Sequence, residues 1–188
     1  MSRGFDGLPP FLSHYYEAQI GPFVNLSDLP LEEAEAELQR IRQVGKTFAS
    51  QRSSDYLSIR RGLETRVRDL FIQKGGKPER ERPHYMILGA CPWGFSWYQN
   101  GCELRISLDQ FQPEIVSFTY GDTFPAMRFG DGKPYRRQVY CLEELPELVR
   151  EYGLPQEWNP DGKLCPDRYI EAQIWADAPL QIYINKRG

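Results

Sequence analysis

Histidine is scarce in this chain of 188 residues. Only His14 and His84 are present, so no imidazole cluster is available for a metal site or a proton relay. The four cysteines, Cys91, Cys102, Cys141 and Cys165, form no CxxC pair, and their gaps fit no common zinc pattern. Neither a disulfide framework nor a metal is therefore expected, and free thiols are the expectation for a reducing compartment. No run of 18 apolar residues occurs, which leaves no candidate membrane span. The N-terminal residues 1–7 lack the apolar core of a signal peptide, and a cytoplasmic location is expected. There are no repeats and no low-complexity segments.

What the chain has is enough apolar residue for one buried core and a single domain over 1–188. Its net charge of −3 conceals an uneven distribution. From Lys46 to Arg82 ten basic residues face five acids, a local +5 that leaves −8 elsewhere. A helix of that composition is either a solvated face or a surface that attracts phosphate.

Element signals run in a clear order. Residues 11–16 read as a short strand carrying His14. A helix is expected from about residue 31, with Ser27 or Asp28 as its cap, Pro30 in its first turn and Gly45 as its stop. Tyr56, Ile59, Leu63, Val67, Leu70 and Phe71 form the apolar stripe of a second helix over about 54–74. Strands are expected over 84–89, 103–108 and 115–120, and an aromatic-rich loop or short helix over 91–98. Residues 121–138 read as irregular, 135–141 as holding a short strand, 143–152 as a third helix and 153–167 as a long loop. Two late strands follow, over 169–175 and 180–184, joined by a turn at 177–179. Helices first and strands later imply an α+β fold, with N-terminal helices packed on a mixed, mostly antiparallel sheet.

The first of the late strands carries the most chemistry. Period-2 alternation places Ile170, Ala172 and Ile174 on one face and Tyr169, Glu171, Gln173 and Trp175 on the other. A carboxylate, an amide and two aromatics on one face form either a ligand site or a solvated surface. Cys91 ends a strand and is a candidate nucleophile if its thiol is reactive.

The order of these parts resembles ADP-ribosyltransferase-like domains, in particular the DNA-targeting toxins and related phage-defence proteins. The matching stretches are Phe11-Leu-Ser-His-Tyr-Tyr16, Pro83-His-Tyr-Met86 with Cys91-Pro-Trp93, and Arg168-Tyr-Ile-Glu-Ala172. The tail Ala178-Pro-Leu-Gln-Ile182 is also similar, whereas Tyr16 stands where a Thr is usual. The resemblance implies NAD as cosubstrate and Glu171 as the catalytic carboxylate. It implies His14 on the adenosine-side ribose, Tyr15 or Tyr85 against nicotinamide, and Arg60 or Arg66 on the pyrophosphate. The competing reading is a non-catalytic module that binds protein or nucleic acid through its loop aromatics and basic helix.

Overall fold

A computed structural model describes residues 7–45 and 48–185 of the chain. The N-terminal segment read for a signal sequence, apart from Gly7, and Lys46 lie outside the described residues. Six strands form one antiparallel sheet: β1 (Phe11–Glu17), β2 (His84–Leu88), β3 (Gly101–Ser107), β4 (Val116–Tyr120), β5 (Tyr140–Cys141) and β6 (Ile170–Ile174), in the order β3-β1-β2-β6-β4-β5. Helices α1 (Leu31–Val44) and α2 (Tyr56–Gln73) precede most of the strands, and the fold is α+β as the sequence implies. No described helix is long and apolar enough to cross a membrane.

The last strand in sequence is therefore central in space. Antiparallel registers place Glu171 opposite Ile87 and Thr119, and Gln173 opposite Tyr85 and Ser117. One face of the sheet carries Met86, Leu88, Phe118, Ile170, Ala172 and Ile174 into the main apolar core. That core is closed by α5 (Leu145–Tyr152), α6 (Pro155–Trp158) and the C-terminal turn α7 (Gln181–Ile184). The opposite face carries polar groups and is covered in two places. Leu63, Val67 and Phe71 of α2 pack on Trp175 together with Met127 of α4 (Thr123–Arg128). The short helix α3 (Pro92–Phe95) and the residues after it pack Trp93, Trp97 and Tyr98 against Tyr15, Ile87 and Tyr169.

Four local expectations are corrected. Residues 180–184 are helical. Pro179 opens a 3-10 turn that runs directly into α7, and Ile182 of the apparent alternation is exposed. Ser27 and Asp28 do not cap α1. They sit in a separate 3-10 turn capped by Asn25, and the Ser27 hydroxyl donates instead to Glu64 at 2.8 Å. The stretch 121–138 contains α4, begun by an Asp122 side chain that accepts from the Phe124 N–H. The loop 153–167 contains α6, whose Pro155 occupies the first turn.

A buried ion cluster fixes the entry to β6. Asp167 is fully buried and takes a bidentate contact from Arg136 at 2.6 and 3.0 Å, with Tyr135 at 2.9 Å and Lys133 at 3.2 Å. Gly121 lies directly over it. A Cβ there would meet Asp167 Oδ1 at 2.7 Å, and φ is +95°. The cluster therefore holds the turn that delivers Asp122 and Thr123 to the polar face of the sheet. Asp167→Ala leaves the buried Arg136 with Asp131 as its remaining acid partner, and a loss of about 3 kcal/mol is expected in urea unfolding. A loss below about 1 kcal/mol would mean that the cluster does not hold this turn.

Candidate functional site

The two covers on the polar face do not meet. Between them opens a cleft of about 110 Å³, lined by Ser13, Tyr15, Tyr85, Trp97, Tyr98, Tyr169 and Glu171 among others. It lies where β1 and β2 part. The two strands pair at Ser13 with Ile87, and Leu12 bridges to Gly89 just beyond β2, whereas β1 and β3 pair along their whole length.

Glu171 is 6% exposed and lines this cleft. The Thr123 N–H donates to its Oε1 at 3.2 Å, and the Thr123 hydroxyl and Gln173 amide donate to the same oxygen. No described residue hydrogen-bonds its Oε2. Burial, then the nearby Asp122 carboxylate, push its titration up to about 8 against the pull of those donors. At neutral pH the group is therefore mostly protonated, and a modest downward shift would ionise it.

A chain of donors stands behind Glu171. Trp175 Nε1 can only donate, and it reaches Ser117 Oγ at 2.8 Å. Ser117 then donates to Gln173 Oε1 at 2.9 Å. That fixes the amide orientation, so Gln173 Nε2 donates to Thr119 at 3.1 Å and to Glu171 at 3.3 Å. Ser117, Thr119 and Gln173 are 0–1% exposed, so this face is an interior polar ladder and not a solvated strand surface.

The walls are aromatic, and the hydroxyls of Tyr15, Tyr85 and Tyr169 are engaged. Tyr15 donates to Glu103 at 3.2 Å and accepts from the Cys91 N–H at 2.7 Å. Tyr85 donates to Glu64 at 2.9 Å, and Tyr169 to Asp122 at 2.9 Å. Burial raises the pKa of all three phenols, so they stay neutral and present ring faces. Neutral rings around a buried acid form a pocket complementary to a flat or compact organic cation.

The residues singled out from sequence are not all brought together. Glu171, Tyr15 and Tyr85 meet in the cleft. His14 lines its wall, but its ring belongs to the fold. Nδ1 meets the Tyr85 carbonyl at 2.9 Å, Nε2 accepts from the Phe23 N–H at 2.9 Å, and the ring stacks on Phe23 at 4.1 Å. Alternation along β1 directs its ring to the face opposite Tyr15, and both ring nitrogens are engaged by the fold. Arg60 lies over the Tyr85 ring at 4.9 Å, but its guanidinium is committed to Glu64, Asn25 and Tyr56. Arg66 is exposed, six residues further along α2 and so on another side of the helix from Arg60, which takes it out of the site. Cys91 is buried, and burial raises its thiol pKa, which argues against a nucleophile. Sequence reasoning missed Thr123, Asp122 and the ladder residue Ser117 as a unit; the signal was the N-cap pattern at Asp122.

Among the described residues no group of three or more His, Cys, Asp or Glu is placed to hold a metal ion. His84 is buried against Asp177 at 2.8 Å, outside the cleft. Comparison of the chain with family models, curated proteins and solved structures finds no match.

The raised pKa of Glu171 has a consequence for stability. The folded state holds this proton more tightly than the unfolded chain, so stability is lost as pH rises from the unfolded value towards about 8. Glu171→Gln removes that loss. The variant is expected to exceed the parent by about 2–4 kcal/mol at pH 9, with the difference vanishing near pH 5. Equal thermal unfolding of the two proteins at pH 9 would mean that Glu171 ionises freely.

Proposed function

We propose that the cleft receives the cationic nicotinamide ring of NAD, and that the protein is an enzyme of ADP-ribosyltransferase type with Glu171 as its catalytic carboxyl. The observation that carries this reading is a ring-sized cleft walled by tyrosines with one buried carboxyl at its base. A cation entering it meets aromatic faces and favours the ionised form of Glu171.

The chemistry follows from that placement. The bond between nicotinamide nitrogen and ribose carbon breaks, and the ring leaves neutral with the electron pair. Positive charge grows on the ribose. The Glu171 carboxylate accepts a ribose hydroxyl hydrogen bond and opposes that charge, an interaction strongest in the transition state. The ADP-ribosyl group passes to an acceptor nucleophile, which gives up a proton. The ladder from Trp175 holds the carboxyl through Oε1, and no described residue hydrogen-bonds Oε2.

NAD binding and nicotinamide release test this directly. The wild type is expected to show an NAD-dependent rise in melting temperature and measurable nicotinamide release. Glu171→Gln should keep the thermal shift and lose about 100-fold or more of the release. Unchanged release in the variant would remove Glu171 from the chemistry. A single-stranded oligonucleotide that binds while NAD does not would favour the non-catalytic module.

A further inference from the structure

Among the described residues of the basic surface beside the cleft, Arg52 differs in status from the guanidiniums around it. Arg60 is saturated by Glu64, Asn25 and Tyr56, and Arg82 reaches Glu64, Glu81 and Thr65. Arg80 bridges Asp28 and Asp177. Arg52 makes no hydrogen bond or ion pair through its side chain with any described residue. Its guanidinium rests on the Tyr56 ring at 4.4 Å, and that ring is backed by Phe124 in a parallel stack at 5.0 Å. Its backbone is pinned, since Arg42 Nε donates to the Arg52 carbonyl at 2.9 Å.

This arrangement leads to the cleft by contact. Arg60 Nη1 donates to the Tyr56 hydroxyl at 3.3 Å, and Arg60 covers the ring of Tyr85, a cleft wall. Tyr98, another wall, lies within electrostatic reach of Arg52 and Arg60. Arg52 is half-buried, and burial pulls its pKa down, yet a guanidinium stays charged at neutral pH. A partly desolvated guanidinium held in orientation by an aromatic ring meets phosphate oxygens bidentately better than a solvated lysine does.

We infer that Arg52, held flat on Tyr56, is the phosphate-binding residue at the mouth of the cleft, and that the ligand is a nucleotide with its phosphates outside the aromatic walls. The assignment rests on the proposed ring site for the other end of the ligand. It replaces Arg60 and Arg66 in the pyrophosphate role.

The test is calorimetric titration of the full chain with NAD, ADP and 1-methylnicotinamide, a cationic ring without phosphate. Arg52→Gln should weaken NAD and ADP by roughly 10–100-fold and leave 1-methylnicotinamide within about twofold. Arg52→Lys should recover part of the loss, and the folds should match because no Arg52 side-chain hydrogen bond to a described residue is removed. Unchanged NAD and ADP affinity in Arg52→Gln overturns the inference while the ring site stands. ADP binding that depends on Arg52, without any binding of 1-methylnicotinamide, supports the phosphate subsite and overturns the ring site. Equal weakening of all three ligands makes Arg52 a structural residue and overturns the inference, as does wild-type protein that binds none of them.

Discussion

Everything at the site depends on one constraint, the burial of a polar strand face that cannot be left unsatisfied. β6 is flanked by strands on both sides and covered on both faces, so Glu171, Gln173 and Trp175 cannot reach bulk water freely. Each buried donor or acceptor without a partner costs about 1–3 kcal/mol. The sequence meets that demand with Ser117 and Thr119 on the adjacent strand and Thr123 at the start of α4. Because the indole can only donate, the polarity of the whole ladder is set from one end. It ends on Glu171, the one member with an oxygen that the ladder does not use.

The same packing explains why the cleft is where it is. The ladder face is sealed by α2 and α4 at the Trp175 end and by the aromatic segment of α3 at the Tyr169 end. Two rigid covers with different geometry leave a gap, and the gap falls above Glu171 because β1 separates from β2 there. His14 takes part in that separation. Its ring occupies the Tyr85 carbonyl that a continuing ladder would have used. The Asp167 cluster, Gly121 and the Asp122 cap then hold the far wall. A buried acid opposed by Asp122 is a cost to the fold.

Much of this was legible in the chain, and the reasons for the rest are physical. The alternation over 169–175 gave the correct faces because period-2 patterning depends only on backbone geometry. The stripe of α2 was equally plain, from Tyr56 to Phe71. The central position of β6 was not legible, because strand order depends on long-range pairing that local pattern does not encode. Residues 180–184 misled because Leu180, Ile182 and Ile184 alternate, while Pro179 sets a helical start instead. His14 was singled out through the resemblance, whereas the side of the parted strand pair that its ring takes depends on long-range pairing. Arg52 drew no attention because its seat on the Tyr56 ring is visible only in the folded structure.

The central claim is that a cationic ring sits against the Glu171 carboxyl. The most direct measurement is a pH titration of that carboxyl carbon by NMR, with and without saturating 1-methylnicotinamide. The account predicts a free-protein midpoint near 8 that falls by at least about one unit when the cation binds, because opposite charge favours the ionised form. A midpoint unmoved by the bound cation would place the ring elsewhere and contradict the account.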